Sequence, residues 1–156
     1  MISETITEQD LKSAIPDLTG TMRLKGLEGT VTVFRDTYGI PRIKSESELD
    51  AFFAQGFATA QDRLWHMEYD RLRGSGRWSE AVGHQAITQD IMMRKFRLEA
   101  SAKADYQAMN AHTKSVFDAY ASGVNSFIEN GGTLPIEYRI TGLLPERWNP
   151  WDGLIV

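Results

Sequence analysis

The chain has 156 residues, of which 42% are hydrophobic and 24% charged, a composition typical of one folded domain rather than of a disordered chain. Its net charge is -4 at pH 7 and its basic residues are dispersed, so no basic stripe is available for nucleic acid. It contains no cysteine, which excludes disulfides, thiolate metal sites and a cysteine nucleophile within the chain.

Two features of the sequence bear on location. There is no apolar run of about 18 residues that could span a bilayer. The segment after Met1 has neither the basic start nor the apolar stretch of an export signal. We therefore predict a protein without a membrane partner, placed in the cytoplasm, or in the periplasm if a signal peptide has been removed.

Residues 1–19 form the first unit, for which the sequence leaves two alternatives, a short amphipathic helix or a flexible tail. Thr7 stands where it can cap such a helix. The apolar residues that recur at roughly helical spacing are Ile2, Ile6, Leu11 and Ile15.

From Gly20 the apolar residues alternate with polar ones, which indicates β-strands and a hairpin. One alternating stretch spans residues 22–27 and precedes Glu28-Gly29, and a second, rich in β-branched residues, spans residues 30–35. Residues 36–39 predict a turn. Extended structure resumes around Pro41, which cannot donate to a ladder and so favours an edge position.

A long helix is predicted next. Ser45 and Glu48 have the spacing of a capping box, and Gly74 and Gly76 supply a stop about eight turns later. The apolar residues that recur at three- and four-residue steps between them are Leu49, Phe52, Phe53, Phe57, Ala60, Leu64, Met67 and Leu72. This is the strongest periodic signal in the chain.

Two further helices are predicted at residues 88–110 and 113–130, the second ending at Gly131-Gly132. The inward residues of the first are Ile91, Leu98, Ala102, Tyr106 and Met109, and those of the second are Val116, Phe117, Tyr120, Val124, Phe127 and Ile128. Residues 134–156 hold three of the five prolines and no clear period, which indicates an extended wrapping segment. An unpaired strand edge and the apolar residues 154–156 favour a core completed by further polypeptide.

Few residues could carry chemistry unaided. Ser75, between two glycines, lacks the spacing of a nucleophile elbow and is interpreted as part of a helix stop. His66 lies one turn from Asp62 and from Asp70, but the three histidines supply no third metal ligand at an obvious spacing, so His66 is interpreted as solvated or packed.

The mixed charges of residues 62–73 mainly predict a solvated helix face. The alternative is that Arg63 and Glu68 are charged, hydrogen-bonded anchors buried at a subunit seam. The four tryptophans are likewise interpreted as core or interface aromatics rather than as ligand platforms.

Several motifs in sequence resemble the penicillin acylase family. Residues 33–43 resemble its opening strand motif, with Arg42 in place of the usual histidine, and residues 50–57 and 60–68 resemble its signature helix, with His66 where glutamine is common. The later landmarks that also match are residues 77–80 with Gly83, residues 119–128, residues 134–138, residues 145–148 and Asp152. Several motifs in register are far more specific than any single short match.

This resemblance implies an α+β fold, an αββα N-terminal-nucleophile hydrolase sandwich when assembled, of which this chain is a mostly helical part with an N-terminal β-hairpin. Residues 20–156 would be the α-subunit portion of that domain, completed by a β-subunit cut from the same precursor. The nucleophile would be the new N-terminal serine of that β-subunit, with its own α-amino group as base. No catalytic residue is therefore expected in this chain.

The resemblance also bears on substrate and ligands. The substrate would be a small N-acyl compound: a β-lactam side-chain amide, an acyl-homoserine lactone, or another aryl or aliphatic amide. We predict a minor contribution to the acyl pocket from Tyr138, Trp151 or Ile155. Catalysis should need no cofactor, and no metal ligand is expected here, although a structural calcium in the assembled enzyme is left open.

Four residues are the predicted structural residues of the subunit seam, namely Arg35, Asp36, Arg63 and Glu68. A second hypothesis is non-catalytic: a helical interaction module, or a degenerate homologue that has lost the nucleophile. The matching motifs are scaffold motifs, so they do not choose a substrate.

Overall fold

The computed structural model describes residues 5–155. In this range the fold is mostly helical with one N-terminal β-hairpin, as the sequence predicts. The elements in chain order are α1 (Glu8–Ser13), β1 (Thr32–Arg35), β2 (Pro41–Lys44), α2 (Glu48–Gly74), α3 (Ser79–Val82), α4 (Ile87–Phe96), α5 (Leu98–Ala108), α6 (Ala111–Asn130) and α7 (Ile136–Thr141). Short 3-10 turns occupy Gly83–Ala86 and Asp152–Leu154.

The short helix α1 forms behind Thr7, as one of the two alternatives predicts. The Asp10 amide donates to the Thr7 hydroxyl at 3.2 Å, and the Thr7 amide donates back to the Asp10 carboxylate at 2.8 Å. Arg139 of α7 also donates to Asp10, at 2.5 Å, which ties α1 to the far end of the chain. The predicted apolar position Ile2 lies outside the described residues, and a domain division at residue 19 stays a prediction.

The hairpin pairs β1 with β2 in antiparallel register, from Thr32 opposite Lys44 to Arg35 opposite Pro41. The predicted turn is confirmed: the Asp36 carboxylate accepts the amides of Tyr38 and Ile40 at 2.9 and 3.0 Å.

The strand expected at residues 22–27 is wrong, since residues 20–31 contain no strand. The amides of Glu28 and Gly29 donate instead to the Asp50 carboxylate of α2, at 3.0 and 2.8 Å. Apolar side chains of the stretch line a groove together with Phe53 and Phe57 of that helix. The alternation therefore reflects packing of coil on α2 rather than a ladder.

Helix α2 is the predicted long helix, with two differences. The N-cap is Ser47, whose hydroxyl accepts the Asp50 amide at 3.3 Å, whereas Ser45 only stabilises the preceding turn. The capping box expected from Ser45 and Glu48 is thus wrong by two residues. The helix also departs from helical geometry at Arg63, where φ is -141° and ψ is 16°, which marks a kink.

The core lies where α2 crosses α6. Gly56 and Gly123 let the two backbones approach: a Cβ on Gly56 would lie 2.0 Å from the carbonyl oxygen of Tyr120, and one on Gly123 only 1.9 Å from that of Phe53. The buried residues that pack beside this crossing are Ala60, Leu64, Met67, Ala121, Val124, Phe127, Tyr138 and Trp148. Burial of these side chains supplies the main hydrophobic stabilisation of the described fold.

The single helix expected at residues 88–110 is two helices, because Arg97 adopts the left-handed conformation with φ 56° and ψ 36°. Helix α4 is held by its polar side. The amides of Trp78 and Ser79 donate to the Asp90 carboxylate at 2.9 and 2.8 Å, and Arg94 donates to the Gly76 carbonyl at 2.8 Å.

This anchoring corrects one inward assignment in α4 and explains the charge state of its aspartate. Ile91, expected to point inward, is 54% exposed, whereas Ala102 of α5 is buried as expected. Burial alone would raise the pKa of Asp90, but the donors of Ser79 and Trp78 hold it below its ordinary value. Helix α4 therefore packs inward through an ionised carboxylate and turns its apolar side outward.

The C-terminal segment wraps the α2–α6 pair, as expected, although part of it forms the short helix α7. The Asn125 side chain bonds the Trp148 backbone twice, accepting from its amide at 2.7 Å and donating to its carbonyl at 2.8 Å. Ile155 packs on Gly74 so closely that a Cβ there would lie 2.4 Å from the Ile155 side chain. The segment is thus fixed at its middle and at its end.

Candidate functional site

A buried ion cluster joins α2 to the C-terminal segment. The Arg71 guanidinium donates to the carboxylates of Glu68 and Asp152, the latter at 3.0 Å, and to the Arg147 carbonyl at 3.0 Å. It also lies 5.3 Å from the centre of the Trp148 ring. Arg71, Glu68 and Asp152 are each no more than 4% exposed, so this cluster is shielded from water.

In this cluster one cation, Arg71, lies between two buried carboxylates, Glu68 and Asp152. Burial raises the pKa of Glu68, and the adjoining Arg71 opposes that rise. Burial also raises the pKa of Tyr138, and the nearby Glu68 charge raises it further. Within residues 5–155 the buried Tyr138 hydroxyl and the Arg71 Nε have no hydrogen-bond partner.

The expectation of a solvated face at residues 62–73 is therefore wrong for part of that run. Glu68 is a buried, hydrogen-bonded anchor that binds Arg71, whereas Arg63, the other residue of the alternative interpretation, is exposed in the described chain. Leu64, Glu68 and Arg71 follow one another at four- and three-residue steps, which places them on one helix face. That spacing was the signal by which Arg71 could have been found.

At the rim of the cluster, Arg77 joins two more segments. It donates to both carboxylate oxygens of Glu146, at 2.7 and 3.0 Å, and to both of Glu80, at 2.8 Å. Hydrogen bonds from Arg77 hold the pKa of Glu146 below its ordinary value. This bidentate geometry fixes the entry of α3 against the C-terminal segment.

Arg35 and Asp36 position the hairpin. Arg35 donates to both carboxylate oxygens of Asp62 on α2, at 2.9 and 2.8 Å, and to the Gln61 side chain at 3.0 Å. Burial alone would raise the pKa of Asp36, but the amides of the turn and Arg42 hold it below its ordinary value. In the described chain both residues therefore have structural partners, and their place at a subunit seam stays a prediction.

Arg63 differs from the other seam candidates. It is exposed at the kink of α2, and its guanidinium makes no hydrogen bond to the described part of the chain. A kinked helix that presents an unpaired guanidinium leaves five donors available to another polypeptide.

The three residues predicted for the acyl pocket have different neighbours. Tyr138 is 4% exposed and packs edge-on to Trp65 at 5.2 Å, inside the core. Trp151 is half-buried beside Tyr106 of α5, and Ile155 is buried on Gly74. A role of these residues in substrate binding stays a prediction.

Two of the three histidines, both exposed, lie close to a carboxylate. His66 lies 3.3 Å from Asp70, and His112 lies 3.5 Å from Glu48. Among residues 5–155, no group of three His, Cys, Asp or Glu side chains could hold a metal ion. No helix in that range is long and apolar enough to cross a membrane.

Two exposed apolar surfaces remain. The hairpin patch consists of Val33, Phe34, Tyr38 and Ile40, with Tyr38 88% exposed at the tip. The α4 patch consists of Ile87, Ile91, Met92 and Phe96. Exposed apolar residues grouped in this way are typical of surfaces that contact other polypeptide.

The chain is similar in sequence to known acylases. The sequence matches the penicillin amidase family over residues 30–156. It is 42% identical over 146 residues to a penicillin acylase 2 proenzyme of Pseudomonas sp., covering 94% of this chain and 19% of that protein. It is 37% identical over 148 residues to an acyl-homoserine lactone acylase of Pseudomonas syringae pv. syringae, covering 94% of this chain and 18% of that protein.

The fold comparison agrees. A thermostable penicillin G acylase from Alcaligenes faecalis superposes with a TM-score of 0.72 at 28% sequence identity, covering 81% of this chain and 69% of that one. The chain belongs to the penicillin amidase family, and its matched relatives are acylases. It spans about a fifth of the length of those curated relatives.

Proposed function

We propose that this chain is the α-subunit portion of a heterodimeric amidohydrolase that cleaves an N-acyl amide bond. The partner is a β-subunit from the same precursor, and its N-terminal serine is the nucleophile. Two relatives support the substrate class, since one is a penicillin acylase and the other an acyl-homoserine lactone acylase. The bond cleaved is accordingly a β-lactam side-chain amide, an acyl-homoserine lactone amide, or another aryl or aliphatic amide.

One observation carries this proposal: the residues of the family-like motifs bind each other inside the chain. Arg35 of the strand motif binds Asp62 of the helix motif, and Asn125 binds the backbone of Trp148. The helix-motif glycine, Gly56, packs against the backbone of α6. The recognisable residues thus brace a scaffold, while the hairpin patch and the α4 patch stay exposed for a partner.

In this proposal the partner subunit carries the catalytic groups. A serine hydroxyl is a weak nucleophile, and a terminal α-amino group with an ordinary pKa of about 7.7–8.0 can take its proton near neutral pH. Attack on the amide carbonyl gives a tetrahedral oxyanion, which preorganised donors stabilise. In this proposal the described residues form the scaffold that holds the partner.

Calcium remains a proposal for the assembled enzyme. Calcium takes six to eight oxygen ligands, and no group of three His, Cys, Asp or Glu side chains among residues 5–155 could hold a metal ion. Such an ion would therefore draw most of its ligands from the remainder of the precursor.

The test is expression of the complete coding sequence, followed by intact-mass analysis of the purified protein and an amide-substrate panel. We expect two polypeptides, the larger beginning with serine, and release of a carboxylic acid from at least one N-acyl amide. A single folded species that hydrolyses no amide would overturn the proposal. It would favour the alternative, a non-catalytic interaction module or a degenerate homologue.

The Arg63→Ala variant tests whether Arg63 contributes to the contact between the subunits. Because this guanidinium is unpaired in the described chain and exposed at the kink, its loss should reduce the yield of assembled enzyme more than it changes the ranking of substrates. Arg23→Ala, at another exposed arginine, is the matched control. An assembled Arg63→Ala enzyme at full yield with altered specificity would contradict the seam role.

A further inference from the structure

We propose that Glu68 is a pH-sensitive switch that determines how firmly residues 146–155, the C-terminal stretch, are held on α2. When the Glu68 carboxyl group is protonated, the Arg71 guanidinium remains available to the C-terminal stretch. When that group is ionised, it competes for the guanidinium and repels the carboxylates that the stretch carries. The proposal concerns the closure of the fold and does not depend on cleavage of an amide.

One guanidinium provides the polar attachment of the C-terminal stretch to α2. Within residues 5–155 the hydrogen bonds from α2 to this stretch all come from Arg71, which donates to the Arg147 carbonyl and the Asp152 carboxylate, each at 3.0 Å. The Asp152 carboxylate also accepts the Asn149 amide at 2.8 Å, so it fixes the turn at the end of the stretch. A change in the charges around Arg71 therefore affects the attachment of the whole stretch.

The buried ion cluster contains more carboxylate than cation. Glu68, Arg71 and Asp152 are each no more than 4% exposed, so one cation serves two carboxylates away from water. A buried charge without its own partner is costly, because the protein interior does not replace the hydration that is lost. Asp152 accepts hydrogen bonds from Arg71 and from the Asn149 amide. Among the described residues Arg71 is the only donor to Glu68, so Glu68 is the carboxyl group that the geometry selects to take up a proton.

The other charged or titratable groups that face Glu68 come from α7, from the turn before α3 and from the C-terminal stretch. Glu146 of that stretch lies 3.8 Å from the Arg71 guanidinium, so an ionised Glu68 faces a second carboxylate there. Arg77 is already held by bidentate hydrogen bonds at the rim of the cluster. Tyr138 of α7 is neutral, because burial raises the pKa of its hydroxyl. None of these groups supplies the second cation that two ionised carboxylates would need.

The pKa of Glu68 determines the direction of the effect. Burial raises the pKa of Glu68, although Arg71 opposes the rise. The stability that Glu68 contributes to the closed arrangement is therefore present below its ordinary pKa and lost as pH rises through the raised value. Above that range Glu68 and Asp152 are both ionised and share one guanidinium. The C-terminal stretch should then open more often from α2, while the apolar crossing of α2 and α6 stays closed.

Hydrogen exchange in the protein purified from the complete coding sequence tests the proposal. The reporters are the amides of Asn149, Asp152 and Ile155, whose acceptors lie within the C-terminal stretch. After correction for the intrinsic pH dependence of exchange, their protection should fall by at least about threefold across that range. The reason is that each unit of pKa shift imposed by closure corresponds to about a tenfold change in the opening equilibrium. Protection that is independent of pH would overturn the proposal.

Variants identify the group responsible. Glu68→Gln keeps the size of the side chain and an acceptor for Arg71 but cannot ionise, so its protection should not change with pH. Glu80→Gln, at an exposed carboxylate of the rim, is the matched control and should keep the full response. Asp152→Asn leaves Arg71 with one carboxylate in the buried cluster, so its response should be less than about half that of the unaltered protein. If Glu68→Gln does not fold, the Asp152→Asn comparison decides, and a full response in either variant would overturn the proposal.

Discussion

Gly123→Ala places a methyl group where α2 and α6 are closest. The added Cβ would lie 1.9 Å from the carbonyl oxygen of Phe53 and 2.9 Å from the amide nitrogen of Phe57. Both atoms belong to the backbone, so no side chain can rotate away. The helices must separate by roughly 1.5 Å to reach the 3.4 Å at which ordinary contact begins. Since overpacking costs about 1–3 kcal/mol and occasionally more, we expect a loss of about 3 kcal/mol or more in the free energy of unfolding.

Equilibrium unfolding in guanidinium chloride measures this loss from the midpoint and the slope. Gly153→Ala is the control, because a Cβ there meets nothing within 4 Å, and it should change stability by no more than about 0.5 kcal/mol. Gly56→Ala should cost about as much as Gly123→Ala, and the double variant less than the sum, because one separation relieves both contacts. If Gly123→Ala and Gly153→Ala unfold at the same denaturant concentration, the reasoning is refuted.

Three further predictions concern backbone strain and buried charge. Arg97→Gly should raise the free energy of unfolding by about 0.5–1 kcal/mol, because glycine adopts the left-handed conformation at φ 56° without steric cost; an unchanged or lower denaturation midpoint contradicts this. Arg71→Met should lower it by about 3–5 kcal/mol, because the buried carboxylates of Glu68 and Asp152 lose their cation. That loss should shrink in acidic buffer as the carboxylates take up protons, and a loss independent of pH would refute the ionic explanation. Glu68→Gln should flatten part of the pH dependence of stability. Because burial raises the pKa of Glu68, the stability it contributes is present below its ordinary pKa and lost as pH rises through the raised value. Thermal unfolding measured at several pH values across that range shows how steeply stability changes with pH. This slope should be shallower in the variant, and not merely displaced to another pH.

The elements that the sequence predicts well are those whose signals are local. Helix α2 follows from apolar spacing and a glycine stop, and the turn after β1 follows from Asp36 and Gly39. The family motifs predict the fold class because they recur in order across most of the chain.

The features that the sequence does not predict depend on distant contacts. Nothing near Arg97 signals a helix break, since neither glycine nor proline stands there; the break accompanies a helix anchored by Asp90 and Arg94 to residues more than ten positions away. The neighbours of Tyr138 could not be predicted from the sequence, because its ring packs on Trp65, which is distant along the chain. The sequence does not mark Arg71 as a buried residue, because Asp70 and Arg73 beside it belong to a run of mixed charge, whereas in space its guanidinium lies over the Trp148 ring.

The paired hydrogen bonds between Asn125 and Trp148 make the attachment of the C-terminal segment to α6 sensitive to the exchange of a single atom. Asn125→Asp would turn the donor that faces the Trp148 carbonyl into a second acceptor, in a buried site and with almost no change in the shape of the side chain. The middle of the segment should therefore be held less firmly on α6 in that variant, although the fold around it is otherwise unaltered.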